Sequence, residues 1–275
     1  MGKKVFGSVA MLIMMMSVFS CSSKVEVLDM AGAVQSVTET KEAENTSEPV
    51  TEAPTEPTTY SPNQVLKMPK DYELSGFGML DVEPIMQLPE LPTGCEVTSL
   101  AAALNYNGFN VTKEELSDEY LTTADPFKAT FDEAFILSPR MPEAYGCNSP
   151  VIEKAAKDYF KSIDADWDVY NLTDTDFEDL FYQIDEGRPV IVWASMWLMD
   201  VSYTLRWTTD DGKEAWFAEG EHCMTVKGYD LEKDTVYVCD PLRGEIEYSI
   251  SRFEEIYDQL GKQALVLYDR EILHD

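Results

Sequence analysis

The clearest hydrophobic pattern in the chain is helical and begins just after Thr93. Val97, Leu100 and Leu104 recur at the spacing of one helix face, and Gly108 would cap the C-terminal end of this helix. Capping residues and apolar spacing predict further helices that start at Thr112 and Ser251 and that cover residues 151–162 and 174–185.

Strand-type patterns dominate the second half of the chain. Residues 189–195 form a continuous apolar run, which is typical of a central strand. Strands are also predicted at residues 79–85, 223–229, 235–239 and 263–268, with a loop or loose hairpin at residues 206–220. A helix-rich half followed by a sheet-rich half predicts an α+β fold.

The start of the chain does not share this globular pattern. Residues 1–20 combine a basic beginning with an apolar run, and they are predicted to be a signal peptide. The run ends in a sequence that resembles the lipobox of bacterial lipoproteins, which implies that Cys21 is acylated. The protein would then be anchored to the cell membrane through lipid and would face outside the cytoplasm. The alternative is a plain secretory signal that is cleaved nearby.

Residues 21–62 are predicted to be the acylated cysteine followed by a disordered linker, and residues 63–275 to be the globular domain. Glu, Thr, Ser, Val and Pro dominate the linker, so it cannot bury enough apolar surface to offset its ordering entropy. The whole chain carries 21 Lys+Arg against 51 Asp+Glu, a formal net charge of -30. This charge argues against nucleic acid as a partner and favours basic partners over acidic ones.

The helix after Thr93 carries a candidate nucleophile in its first turn. Thr93 and Glu96 have the spacing of a capping box, with Thr93 as N-cap and Glu96 at the N3 position. Cys95 then falls at N2, where free backbone N–H groups and the helix dipole favour a thiolate. A low-pKa thiol of this kind is a common cysteine nucleophile. The alternative is a small apolar residue that merely packs near a helix start.

Elimination identifies the base that such a nucleophile needs. The chain has two histidines, and His274 is the penultimate residue, where fraying is expected. His222, at the start of a strand, is therefore the candidate base, although it could also be a structural histidine. Asp240 follows a strand and is the candidate that orients the imidazole, with an Asp-Pro turn as the alternative. The two side chains share a face of an antiparallel pair only if the connecting loop has an odd length, and residues 231–233 fit this condition.

Gln87 is the fourth candidate, because a side-chain amide together with the backbone N–H of the nucleophile could hold a tetrahedral oxyanion. Cys147, Cys223 and Cys239 could form a disulfide or remain buried free thiols, and they are left outside the chemistry. With two histidines and no Cys-x-x-Cys motif, we expect no metal site and no cofactor.

Taken together, several blocks of this sequence resemble the peptidase C39-like domain family of the papain-like cysteine peptidase superfamily, found on bacterial secreted proteins and lipoproteins. The blocks are residues 87–100 (QLPELPTGCEVTSL), 146–152 (GCNSPVI), 187–193 (GRPVIVW), 220–230 (GEHCMTVKGYD) and Asp240-Pro241. The resemblance implies a papain-like fold, in which the nucleophile begins a central helix packed on an antiparallel sheet. It also implies that Cys95 is the nucleophile, His222 the base, Asp240 the orienting group and Gln87 part of the oxyanion hole.

The first functional hypothesis is a lipid-anchored cysteine hydrolase that cleaves a peptide or amide bond through a thioester. Its substrate would be a peptide or protein, and basic peptides suit the acidic surface. A cell-wall peptide hydrolase or acyltransferase could use the same site. The other class is a non-catalytic surface binding protein that keeps the papain-like frame.

Overall fold

A computed structural model of the chain describes residues 60–274, so the predicted signal peptide, Cys21 and nearly all of the predicted linker lie outside the described residues. The α-helices are α1 (Pro62–Val65), α2 (Cys95–Tyr106), α3 (Lys113–Glu115), α4 (Ser149–Ser162), α5 (Phe181–Asp185) and α6 (Ile250–Gln259). Shorter helical turns comprise a π-helical turn (Leu116–Tyr120) and three 3-10 turns (Glu178–Leu180, Met196–Leu198, Arg270–Leu273).

The strands are β1 (Phe77–Met79), β2 (Thr123–Ala124), β3 (Phe135–Ile136), β4 (Trp167–Asn171), β5 (Val190–Ser195), β6 (Tyr203–Thr208), β7 (Glu214–Ala218), β8 (Glu221–Asp230), β9 (Thr235–Asp240), β10 (Gly244–Ser249) and β11 (Ala264–Asp269). Seven of them form one antiparallel sheet in the order β10-β9-β8-β5-β11-β4, with β1 paired to β8 as well. Strand β8 is the longest, and its first half pairs with β5 while its last residues pair with β1.

Alternation along the sheet gives the domain a core on each face. In β5 every residue is buried, yet Ile191 and Trp193 belong to the core under α2 and α4, whereas Val190 and Val192 belong to the core under α5 and α6. A strand that is covered on both faces reads as a continuous apolar run, which is why residues 189–195 showed no alternation in the sequence. The predicted α+β class, with a central helix packed on an antiparallel sheet, is confirmed.

Helix α2 is buried on all sides rather than along one stripe. Val97, Leu100 and Leu104 are fully buried, as their spacing predicts, but Ala102 on another side is buried as well, against Val82 and Cys239. A helix that is enclosed on every side is a central helix rather than a surface one. The helix therefore presents its N-terminal end, rather than one of its sides, to the candidate site.

Three sequence predictions differ from the structure. The strand predicted at residues 79–85 is confined to Phe77–Met79, because the chain beyond it is held through Lys227, whose Nζ donates to Val82 O, instead of through a ladder. The last helix is capped by Ser249, whose hydroxyl accepts from Arg252 N, and not by Ser251. The two edge strands of the large sheet, β4 and β10, were missed, since most of their residues are only half-buried or exposed.

The remaining predicted elements are present with shifted ends. The loose hairpin predicted around residue 212 is the β6–β7 hairpin, and its turn contains Gly212 with φ +91°. Helix α4 starts two residues before its predicted start, and the helix predicted at residues 174–185 is a 3-10 turn followed by α5. Within residues 60–274, no helix has both the length and the apolar character needed to cross a bilayer.

Candidate active site

A cleft of about 380 Å³ lies where the N-terminal end of α2 meets the start of β8. Cys95, Gln87 and His222 all line it, and Asp240 lies directly behind the imidazole of His222. The structure thus brings together four residues that are spread over more than 150 positions of the sequence, as the sequence analysis predicts.

His222 and Asp240 form a buried pair. The imidazole Nε2 lies 2.7 Å from Asp240 Oδ1, and both residues are 2% exposed. Burial alone would raise the pKa of Asp240, but the hydrogen bond and the charge of His222 lower it below its usual range. Because Nε2 is engaged with the carboxylate, Nδ1 is the ring nitrogen left to exchange a proton with a thiol.

The two side chains share a face for a reason that the sequence did not reveal. The loop between the strands has four residues, 231–234, and not three, so a regular hairpin would place Asp240 on the wrong face. A β-bulge at Lys227 shifts the register from Gly228↔Tyr237 to Val226↔Val238 and restores the required parity. The prediction of a three-residue loop was wrong, but the His222 and Asp240 side chains still lie on the same face of the strand pair.

Asp240 also begins a tight turn, which is the alternative interpretation that the sequence left open for this residue. Its Oδ1 accepts from Leu242 N at 2.8 Å as well as facing His222, and its carbonyl accepts from Arg243 N. The turn and the imidazole therefore hold the same carboxylate oxygen.

The start of helix α2 differs from the predicted capping box. The helix begins at Cys95 itself with Gly94 as N-cap, and the Thr93 hydroxyl donates to Met141 O and Pro139 O instead of capping the helix. Glu96 points into the protein, where it is 1% exposed. Cys95 is therefore the N1 residue, whose backbone N–H has no acceptor within the helix.

The Cys95 thiol is not the low-pKa thiol that the helix position predicts. Burial, followed by the charge of Glu96, raises its pKa well above the usual value, and Cys223 and Glu221 add to the effect. Sγ contacts Glu96 Oε2 at 3.3 Å, so the thiol donates to this carboxylate. The prediction of a resting thiolate is wrong for this arrangement, because desolvation and a neighbouring negative charge outweigh the helix dipole.

Glu96 and Glu221 are cleft residues that sequence reasoning missed. Glu96 Oε1 accepts from Cys147 N at 2.8 Å, and burial raises the pKa of both carboxyls. A Cβ on Gly146, whose φ is +110°, would lie 2.7 Å from Glu96 Oε1 and 3.7 Å from Glu221 Oε2. Gly146 therefore leaves the space that the Glu96 carboxylate occupies. The one sequence signal came from Glu96, which is an acidic residue inside a run of otherwise uncharged positions. Its interpretation as a capping residue concealed this signal.

Gln87 is held by both its backbone and its side chain. Its N–H donates to Pro241 O at 2.9 Å, just after Asp240, and its Nε2 donates to Pro92 O at 2.8 Å. The side chain is 2% exposed, and Oε1 has no hydrogen-bond partner. An amide nitrogen carries two hydrogens, so one N–H of Gln87 is left for a ligand in the cleft.

The other described cysteines take no part in a disulfide. Cys147, Cys223 and Cys239 are buried free thiols, which is one of the two alternatives the sequence left open. Among residues 60–274, His, Cys, Asp and Glu side chains form no group of three that could hold a metal ion.

Away from Cys95, Gln87 and His222, several apolar side chains line the cleft. Ala144, Tyr145, Met196 and Phe217 line it, and the Arg206 guanidinium lies 5.7 Å from the ring centre of Tyr145 and 5.3 Å from that of Phe217. Such a cleft combines an apolar wall with few polar groups, as ligand sites in proteins commonly do.

Comparisons with known proteins agree on one family. The Peptidase_C39 like family matches residues 79–265, more than half of the chain. The uncharacterized protein YvpB of Bacillus subtilis is 32% identical over 188 residues, which cover 66% of this chain and 72% of that protein. A Bacillus anthracis crystal structure described as a C39-like peptidase is 29% identical, covers 70% of this chain and 97% of its own, and superposes with a TM-score of 0.62.

Proposed function

Because this chain belongs to the Peptidase_C39 like family, we propose that it is a cysteine hydrolase that cleaves a peptide or amide bond through a thioester intermediate. The observation that carries the proposal is the buried His222–Asp240 pair at 2.7 Å, in the same cleft as Cys95. A lone buried histidine has many structural uses, but an oriented imidazole beside a helix-terminal cysteine is the arrangement of a nucleophile with its base.

The reaction follows from the atoms that remain free. Cys95 Sγ attacks the substrate carbonyl carbon to form a C–S bond, and its proton passes to His222 Nδ1. Collapse of the tetrahedral intermediate breaks the C–N bond, and His222 returns the proton to the leaving amine. A water molecule then attacks the thioester with His222 as base, which releases the acid and restores the thiol.

Three groups support the charges that develop. Asp240 holds Nε2–H and stabilises the imidazolium, as a buried carboxylate does in other triads. The oxyanion would be met by the free N–H of Gln87 Nε2 and by the backbone N–H of Cys95, which has no acceptor within α2. Because Glu96 favours the protonated thiol, the transfer to His222 takes place in the substrate complex rather than in the resting protein.

The proposal also places the protein outside the cytoplasm, anchored to the membrane through an acylated Cys21. This part rests on the sequence of residues 1–62 alone. A peptide or protein is the substrate class proposed, and the formal charge of -30 favours basic peptides over acidic ones.

The test is hydrolysis of a peptide library by the mature protein, with Cys95→Ala and His222→Ala as variants. Loss of all cleavage in Cys95→Ala and a fall of at least about 100-fold in His222→Ala are expected, since a general base contributes on this scale. Cys239→Ala is the matched control, because it removes a buried free thiol outside the cleft. Cleavage that survives in Cys95→Ala refutes the proposal.

A second candidate is favoured by one specific observation. The Cys95 thiol is buried and faces Glu96, an arrangement that suits a non-catalytic binding protein that retains the frame. Iodoacetamide separates the candidates: an enzyme's Cys95 is alkylated more slowly once His222 is replaced, whereas in a binding protein the rate is the same with and without the imidazole.

A further inference from the structure

Lys113 is a buried cation on α3 that the reaction above does not use. It is 7% exposed, and lysine is rarely buried in a folded protein unless its charge is paired. Its helix is short and carries no cleft residue, so neither the packing of α3 nor contact with the cleft explains the burial of Lys113. The partners of its ammonium group explain why it is there.

Every hydrogen bond of the ammonium group goes to the segment that carries Gln87, and Glu114 Oε1 lies farther away at 3.8 Å. Lys113 Nζ donates to Met86 O at 2.5 Å, to Gln87 O at 3.2 Å and to Glu90 Oε2 at 2.8 Å. An ammonium group has three N–H donors, so all of them are directed to five consecutive residues. The hydrogen bond from Lys113 lowers the pKa of the Glu90 carboxyl, which keeps that partner charged.

The backbone of this segment makes few main-chain hydrogen bonds, although Val82 within it is buried. Between Leu80 and Gln87, in the described part of the chain, no backbone N–H donates to another main-chain oxygen. Gln87 itself is held by its N–H to Pro241 O and by its Nε2 to Pro92 O, and Pro92 lies in the connection from Gln87 to α2. Lys113 adds the hydrogen bonds that tie residues 86–90 to α3.

We propose that Lys113 is a positioning residue for the oxyanion site, which fixes the backbone of Gln87 so that its free amide N–H meets the developing oxyanion. The inference rests on the proposed function for its catalytic part. An oxyanion donor acts only at a defined position, and a misplacement of about 1 Å can lower the rate about 100-fold. A buried charge retained where an apolar side chain would pack fits a requirement for one conformation of the segment.

The variant Lys113→Met keeps the length of the side chain and removes its three donors. We expect kcat to fall by about 10- to 100-fold with KM within about twofold, because the lost interaction is made in the transition state. Alkylation of Cys95 by iodoacetamide should change by less than twofold, since that reaction forms no oxyanion. Glu90→Gln, which leaves both carbonyl contacts in place, is the matched control and should lower kcat by less than about threefold.

A double variant distinguishes positioning from simple destabilisation. If Lys113 acts through Gln87, Lys113→Met should have almost no further effect on kcat in a Gln87→Ala background. An equal fall in kcat in both backgrounds overturns the proposal. If Lys113→Met does not fold, Lys113→Gln, which is neutral and keeps two donors, takes its place in the same cycle.

Hydrogen exchange separates this inference from the proposed function. In Lys113→Met the N–H groups of Gln87 and Leu91, which bond Pro241 O and Gln87 O, should exchange at least about tenfold faster, while that of Leu265 in the sheet is unchanged. Exchange that is unchanged, or faster everywhere, overturns the role of Lys113. If the segment loosens as expected but the wild type cleaves no peptide, the proposed hydrolysis fails while the positioning of Gln87 stands.

Discussion

Replacing Glu96 by Gln should lower the pKa of the Cys95 thiol and make it more reactive. Gln keeps an acceptor for Cys147 N but removes the negative charge that Sγ faces at 3.3 Å. At that separation a unit charge contributes about 1.3 kcal/mol if the dielectric constant is that of water, and about 5 kcal/mol at an effective value of 20. The lower figure corresponds to an increase of about eightfold in the acid dissociation constant of the thiol.

The expected change in rate is smaller than the change in thiolate. That increase raises the thiolate fraction at pH 7 about eightfold, but each thiolate becomes about 2.5-fold less nucleophilic because the thiol is more acidic. The alkylation rate should therefore rise about threefold for the smaller electrostatic energy and about 100-fold for the larger one. Both figures apply where the Glu96 carboxyl is ionised.

The assay is alkylation by iodoacetamide from pH 5 to pH 10, with the Cys95 peptide quantified by mass spectrometry. The wild-type rate should rise with pH to a midpoint above the usual thiol value, and the Glu96→Gln midpoint should be lower. The two profiles should converge in acid, where the Glu96 carboxyl is protonated. Glu221→Gln is the control, because Glu221 raises the pKa of Cys95 less than Glu96 does. A Glu96→Gln midpoint that is unchanged, or higher, would refute the assignment of the raised pKa to Glu96.

Three further predictions concern the imidazole pair and the loop beside Glu96. Asp240→Ala should lower kcat/KM for a hydrolysed peptide by roughly 10- to 100-fold, since His222 loses the acceptor that fixes its tautomer. Asp240→Asn should restore part of the activity. Equal rates for the wild type and the two variants would contradict this prediction. Because the folded-state pKa of Asp240 is lowered, its ionised form stabilises the fold above the unfolded pKa of about 3.9, and this contribution is lost as pH falls through the folded value. The free energy of urea unfolding should therefore fall more steeply from pH 5 to pH 3 in the wild type than in Asp240→Asn, and parallel curves would contradict it. Gly146→Ala should lower the free energy of unfolding by about 1–3 kcal/mol more than Gly108→Ala. Both glycines have positive φ, but only a Cβ at Gly146 would meet Glu96 Oε1, at 2.7 Å. Equal losses of stability in the two variants would exclude the clash.

Local sequence signals were sufficient for four residues of the candidate site, but not for Glu96 and Glu221. A cysteine at a helix start, one histidine away from the chain ends, an aspartate after a strand and a glutamine before a proline-rich approach are each readable without a structure. The helix of Cys95 and the central strand at residues 189–195 were also readable, because burial leaves apolar residues at fixed spacings. Each of these signals depends on residues nearby in the sequence or, for the histidine, on the small number of histidines in the chain.

The tertiary structure decided how those members work. Whether Asp240 faces His222 depends on a bulge at Lys227, and a bulge leaves no regular pattern in the sequence. The raised pKa of Cys95 depends on the burial of the thiol and then on Glu96, which turns inward to the backbone of Cys147, a contact over 51 positions that no local rule contains. Charges interact through space and respond to burial, so the protonation of a nucleophile is a property of the folded protein, even where the sequence alone identifies the nucleophile.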